Sequence, residues 1–169
     1  MQLRAYRPDD LAVVHAVNQA EVPAVGDETI EALGLIAEES VIALVAEEDG
    51  ALAGFCLVLA PGADYDSGNY RWFSERYADF VYLDRVAIAP PFQRRGLGRA
   101  MYAEVERLAA ERRPGATDFT LEVNLRPRND QSLAFHDQLG FVEVGRRDTD
   151  YGVTVSMLAK RLTAAGAAT

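Results

Sequence analysis

The sequence predicts an α/β domain built on one mixed sheet. Three observations predict it: β-rich segments alternate with helical ones, Asp49-Gly50 joins two β-rich runs as a tight hairpin, and a strand–loop–helix–strand unit occupies the middle of the chain. A doubly wound parallel sheet would not hold two hairpins, and a second closes the chain. Taken in order, 3–6 form a short first strand, and Pro8-Asp9-Asp10 opens a helix with Leu11, Val14, Val17 and Ala20 at steps of three. Asp27 caps a second helix carrying Ile30, Leu33 and Ile36, weakened by Gly34. Segments 41–47 and 51–59 are the arms of the hairpin. Segment 61–79 mixes Gly62, Asp64, Asp66, Gly68 and Asn69 with Tyr65, Tyr70, Trp72 and Phe73, and reads as a long functional loop. Segment 80–88 returns to strand and stops at Pro90-Pro91. Leu97, Met101, Val105 and Leu108 mark an amphipathic helix that ends before Pro114-Gly115. A strand over 117–123, a helix over 129–139 stopped by Gly140, and strands over 141–147 and 151–159 follow. The expected order is β-α-α-β-β-β-α-β-α-β-β within residues 1–162, with 163–169 as a frayed tail.

A chain of 169 residues, 49% hydrophobic and 25% charged, builds one domain with a core. The net charge of −9 argues against a general nucleic-acid binder, whose footprint is basic. No apolar run approaches the roughly 18 residues that span a bilayer, and Met1-Gln2-Leu3-Arg4 lacks the basic-then-apolar layout of a secretory signal. The single Cys56 excludes an internal disulfide and a Cys-rich metal cage, and His15 and His136 make no zinc cluster. The expectation is a soluble, cytoplasmic protein without a metal or a membrane. Charge is unevenly placed: 27–49 holds eight acids and no Lys or Arg, whereas 85–113 holds seven arginines against three glutamates. The first half favours cations and the second an anion, unless both are merely solvated faces.

Gln93-Arg94-Arg95-Gly96-Leu97-Gly98-Arg99 stands between a strand end and a helix start. The first helical turn has amides without intrahelical partners and partial positive charge. Gly96 and Gly98 let an anion approach those amides, and Arg94, Arg95 and Arg99 add full charges, which suits a pyrophosphate better than a carboxylate. The spacing is neither the P-loop nor the dinucleotide fingerprint, since Met101 stands where the third glycine would be.

Gln93-x-x-Gly96-x-Gly98 after Val86-Ala87-Ile88-Ala89-Pro90 resembles the acetyl-CoA signature of the GNAT superfamily of N-acetyltransferases. Downstream, Asn129-Asp130-Gln131-Ser132 and Phe135-His136-Asp137-Gln138-Leu139-Gly140-Phe141 are similar to that family's Asn-x-x-Ala and Leu-Tyr-x-x-x-Gly-Phe stretches, and the element order matches across almost the whole chain. The resemblance implies splayed strands 4 and 5, with the pantetheine arm of acetyl-CoA between them. It implies that Val86, Ala87 and Ile88 offer backbone groups to pantetheine, that the amides of Arg94, Arg95, Gly96, Leu97, Gly98 and Arg99 take the pyrophosphate, and that Asn129 hydrogen-bonds the cofactor. Period-2 alternation places Asp84 on one face with Val86 and Ile88, as a carboxylate near the acetyl group or else a partner of Arg85.

The implied reaction moves an acetyl group to an amine of a small molecule or peptide. An ammonium must first lose a proton, so a base is needed near the amine's entry. Glu122, between Leu121 and Val123, stands where some family members carry it, although an alternating strand also sends such a residue to solvent. An N–H near Ile88 is placed to stabilise the oxyanion. His136 replaces the Tyr that in the family often protonates the leaving thiolate; packing beside the cofactor is its other reading, and Tyr82, Tyr102 and Tyr151 are alternative donors. Arg126 and Arg128 reach the cofactor's 3′-phosphate or are solvated. Asp64-Tyr65-Asp66 through Tyr70-Arg71-Trp72-Phe73 is expected to form an acidic, aromatic wall for the amine, with core packing or a homodimer contact as the competing account for Trp72 and Phe73. Cys56 reads as a packed small side chain. A non-catalytic acyl-CoA-binding sensor or regulatory module is the alternative to an enzyme.

Overall fold

The computed structural model describes residues 1–163; the expected tail, apart from Thr163, lies outside the described residues. The elements are β1 (Gln2–Ala5), α1 (Leu11–Ala20), α2 (Ile30–Glu39), β2 (Ile42–Glu48), β3 (Ala51–Leu59), α3 (Gly68–Ser74), β4 (Phe80–Ile88), α4 (Leu97–Arg112), β5 (Asp118–Arg126), α5 (Asp130–Gln138), β6 (Val142–Asp148) and β7 (Thr154–Arg161). Short 3-10 turns at Pro8–Asp10 and Pro90–Phe92 begin with prolines, whose fixed φ suits a first turn. The α/β class and the order of the predicted elements stand, with one addition: the segment read as a long loop contains α3. Ser67 caps it by accepting a bond from the Tyr70 amide. The second helix is capped by Thr29, whose Oγ1 accepts from the Ala32 amide at 3.1 Å, and not by Asp27.

The seven strands lie in the order β1-β2-β3-β4-β5-β7-β6. Only β4 and β5 pair in parallel, joined by the α4 crossover, and every other pairing is antiparallel. On one face α4 seats Leu97, Met101, Tyr102, Val105 and Leu108 against Val81, Leu83, Phe119, Leu121 and Val123, with Leu133 and Phe135 of α5 beside them. On the other face α1 and α2 cover β2 to β4 through Val14, Val17, Leu33 and Ile36, and α3 packs on β3, β4 and β7 through Tyr70 and Phe73.

Two features of β4 open the sheet. The β4–β5 ladder holds for only three rungs, Phe80–Asp118, Val81–Phe119 and Tyr82–Thr120. Immediately beyond, the β3–β4 register slips: Val58 opposes Leu83 and Leu57 opposes Arg85, so Asp84 is an extra residue. Such a bulge bends its strand and raises the local twist. It also inverts the alternation. Val81 and Leu83 face α4 before it, Val86 and Ile88 face α4 after it, and Ala87 packs toward α1 and α2.

Candidate active site

The gap between the diverging strands holds a cavity of about 650 Å³, lined from both faces of the sheet. Tyr102 of α4 and Asn129, Ser132 and His136 at α5 line one side, while Tyr65, Asn69, Asp84 and Glu122 line the other. The connection 22–28 between α1 and α2 and Asp150-Tyr151 between β6 and β7 flank the outer mouth.

Asp84 and Glu122 are both two residues past the last rung, on the face of α3. The Glu122 carboxylate receives the Tyr82 hydroxyl at 2.8 and 3.0 Å and Asn69 Nδ2 at 3.1 Å. Burial pushes its pKa up to about 8 and the negative charge of Asp84 adds to that, against the pull of the Tyr82 and Asn69 hydrogen bonds and of Arg85. Asp84 is differently held: the Tyr65 hydroxyl donates to Oδ1 and Arg85 Nε to Oδ2 at 2.7 Å. Sequence alternation put Asp84 on the face of Val86 and Ile88; the bulge turns it to the opposite face, beside Glu122.

Arg85 is buried and fully engaged, with Asp84, with Glu28 at 3.2 Å and with Asn18 at 3.3 Å. It is the one Lys or Arg in the cavity wall, against the carboxylates of Asp27, Glu28, Asp66, Asp84, Glu122 and Asp150. The outer chamber is therefore an environment for cations.

On the other side His136 is 4% exposed. Its Nδ1 lies 2.7 Å from the Ser132 carbonyl oxygen, which requires the proton on Nδ1 and leaves Nε2 to accept the Tyr102 hydroxyl at 2.7 Å. Both ring nitrogens are thereby committed, and burial lowers its pKa. The expected donation from His136 to a leaving thiolate does not match this arrangement; the ring instead holds Tyr102.

The loop at the start of α4 has the features that an anion needs. Gly96 sits at φ 86° and no side chain caps the helix, so the amides of residues 97–99 are free of intrahelical partners. A Cβ on Gly96 would meet open space, and one on Gly98 would lie 3.4 Å from the Phe135 ring and 3.5 Å from Ile88. A side chain as small as alanine at 98 would therefore meet Phe135 and Ile88 at ordinary contact distance. Arg94, in a left-handed conformation, makes no ion pair among the described residues; Arg99 reaches only Gln138, at 3.5 Å, and Arg95 lies 3.8 Å from Asp49. Gln93 donates to the Ile88 carbonyl at 2.9 Å and to Glu21 at 2.8 Å, tying this loop to β4 and to the end of α1. Asn129 uses its Oδ1 to cap α5 through the Ser132 amide, so its Nδ2 remains for the cavity.

Val86 and Asn129 line the cavity; Ala87 is buried toward α1 and α2, and Ile88 contributes at the Gly98 contact. Tyr70 and Trp72 are corrections. The Tyr70 ring is buried, and its hydroxyl donates to the Ala60 carbonyl at 2.6 Å and accepts from the Ala63 amide, which fixes the segment before α3. Trp72 packs over Gly145, where a Cβ would be 2.6 Å from its ring, and carries Arg76 at 4.2 Å on its face. Neither lines the cavity. Arg128 pairs with Asp130 on the surface, as its solvated reading has it. Burial pushes the Cys56 thiol up to about 12, as befits a packed side chain. Asn69 and Tyr65 were named only as members of the 61–79 segment, Tyr65 within its expected wall, and Arg147 was not singled out. Their significance comes from contacts between segments far apart in the chain, and Ser67 as a helix cap is the one local signal that pointed there.

Among the described residues no helix is long and apolar enough to cross a membrane, and no group of three His, Cys, Asp or Glu is placed to hold a metal ion. The profile of the Acetyltransferase (GNAT) family matches residues 11–141. No curated protein matches the sequence. Among solved structures, the ribosomal-protein-S18-alanine N-acetyltransferase from Escherichia coli is similar at TM-score 0.74 and 20% identity, over 99% of this chain and 97% of that one. NAA60 of Arabidopsis thaliana in complex with a bisubstrate analogue is similar at TM-score 0.74 and 16% identity, over 95% and 97%. The NatB acetyltransferase complex bound to CoA and MES is similar at TM-score 0.74 and 16% identity, over 96% and 100%. At such identities the structures speak for the fold, while the profile covers most of the chain: by sequence and by architecture, this protein belongs to the GNAT acetyltransferase family.

Proposed function

We propose that the chain is an acetyl-CoA-dependent N-acetyltransferase whose acceptor is a cationic amine, a small molecule or the amino group of a basic peptide. The carrying observation is the cavity itself: α4 and α5 line one side of it, acidic residues line the other, and Glu122 is among the residues of its wall. The NatB relative's bound CoA supports the donor. The residues fit it: the open amides of 97–99 with Arg94 and Arg99 for the diphosphate, the unpaired edge of β4 around Val86 for the pantetheine, and the Asn129 amide beside it. Acetyl-CoA supplies an acyl group activated as a thioester.

Glu122 is the base in this reading. A carboxylate with a pKa near 8 is a better proton acceptor for an ammonium than an ordinary one, and it is ionised in a growing fraction of molecules as pH rises toward 9. Asp84, held by Tyr65 and Arg85, stands beside it as a second carboxylate in the wall. With Arg85 paired to Asp84 and Glu28, the wall offers a carboxylate no free guanidinium or ammonium, which disfavours free amino acids and acidic peptides as acceptors.

Thiol release from acetyl-CoA in the presence of linear polyamines, basic peptides and free α-amino acids tests this. Release is expected with the first or second group and not with the third. Coenzyme A binding without release from any amine would favour a sensor or regulatory module, and the absence of coenzyme A binding would overturn both readings. Residence in the cytoplasm, a homodimeric state and a domain spanning 1–162 belong to this proposal.

A further inference from the structure

Asn69 is 4% exposed and touches three other segments of the chain. Its Oδ1 accepts Arg147 Nη1 of β6 at 2.8 Å, and its Nδ2 donates to Glu122 Oε1 at 3.1 Å and lies 3.3 Å from the Tyr151 hydroxyl. A guanidinium has only donors, so whichever end of an amide faces it must be the oxygen. Arg147 therefore decides which way round the Asn69 amide stands. With the amide reversed, an oxygen would face the Glu122 carboxylate and repel it.

The clamp is built in on both sides. A Cβ at Gly68 would lie 2.1 Å from Arg147 Nη2, so only glycine lets the guanidinium pass the start of α3. Ser67 fixes the same turn through the Tyr70 amide. Beyond Asn69, Arg147 has Asp150 at 3.9 Å and is otherwise open to this single task. The groups that face or lie around Glu122 are Tyr82, Asp84 and Arg85 of β4, Tyr65 and Asn69 from the segment leading into α3, and Tyr151 from the β6–β7 turn. Asn69 is the neutral donor among them that reaches the carboxylate from outside the sheet.

We propose that Asn69 is a positioning residue, locked by Arg147, that holds Glu122 Oε1 toward the acceptor chamber and stabilises the ionised form of that carboxylate. Its meaning for catalysis rests on the reading of Glu122 as the base, but its test needs neither donor nor acceptor. The probe is the side-chain carboxyl carbon of glutamate, labelled with carbon-13 in the full chain and titrated by NMR, with Glu122→Gln identifying the resonance. Asn69→Leu is expected to raise the Glu122 midpoint by about one pH unit, the size of one charge-assisted hydrogen bond. Arg147→Met raises it as well, and Arg147→Lys, which keeps a donor and the charge, brings it back toward the parent. In the Asn69→Leu background Arg147→Met adds nothing, because its influence runs through the amide.

A midpoint unmoved by Asn69→Leu, or an Arg147→Met effect of full size in the double variant, would overturn the proposal. Should Asn69→Leu fail to fold, the half-buried Arg147 variants carry the test alone: a midpoint unchanged in Arg147→Met rejects the lock. A shifted midpoint in a protein that releases no thiol from acetyl-CoA would leave the positioning intact and remove the transferase reading.

Discussion

The Tyr102 hydroxyl donates to Nε2 of His136 at 2.7 Å, and this bond connects α4 to α5 across the inner wall of the cavity. Both residues are almost wholly buried. Since Nδ1 is committed to the Ser132 carbonyl, the pair forms a closed chain of donors and acceptors.

Breaking that chain leaves one member unpaired. His136→Phe strands the Tyr102 hydroxyl and is expected to lower unfolding stability by about 1–3 kcal/mol, whereas adding Tyr102→Phe recovers part of the loss. Urea unfolding of the two single variants and the double one checks this; additive losses would contradict it.

The acid limb of stability follows from the same ring. Burial holds the pKa of folded His136 below its ordinary 6.5, so the unfolded chain binds the proton first as pH falls. Stability contributed by the neutral ring is complete above about 6.5 and declines below it. Calorimetric unfolding between pH 7.5 and 5 is expected to show a shallower decline in His136→Gln than in the parent.

Glu122 has the opposite sign for a carboxyl group. Its folded pKa, near 8, lies above its unfolded value, so the folded chain holds the extra proton across that interval. Stability is greatest below the unfolded pKa and is lost as pH climbs through about 8. Glu122→Gln is expected to abolish this loss, which accumulates from the unfolded pKa up to about 8, in unfolding titrations, and to remove the rise of the acetyl-transfer rate as pH approaches 8.

The anion loop is tested by coenzyme A calorimetry. Gly96→Val forces a β-branched residue to φ 86°, at a cost of about 1–2 kcal/mol that a flipped loop would relieve; the expected loss of affinity is about tenfold. Arg94→Gln and Arg99→Gln each weaken binding a few-fold, with the difference shrinking at high salt. Unchanged affinity in Gly96→Val would contradict the assignment.

Gly145→Ala serves as a control outside the cavity. Its Cβ would stand 2.6 Å from the Trp72 ring, so Trp72 must shift, at about 1–3 kcal/mol of stability, while coenzyme A affinity stays at the parental value. Trp72 is the chain's single tryptophan, and its fluorescence reports the shift directly.

Most of the fold was legible because its signals are local. Ala51–Leu59 and Phe80–Ile88 were read to their exact ends, from apolar runs bounded by Asp49-Gly50 and by prolines. The glycines and arginines of 93–99 mark a turn at the start of a helix without any knowledge of its neighbours. α3 was missed because its seven residues are too few for a helical period to show, and its aromatic residues, read as an amine-binding wall, belong to the core.

By itself the sequence determined the order of the elements other than α3 and the place of the glycine- and arginine-rich turn before α4, since each depends on composition and spacing within a short window, while the candidacy of Glu122 came from the family resemblance. Only the tertiary structure decided which face Asp84 takes, that both nitrogens of His136 are engaged, and that Asn69 and Arg147 stand behind Glu122. A one-residue slip between β3 and β4 turns every later side chain of β4 over, and a hydrogen bond between residues 78 positions apart leaves no periodic trace in the chain.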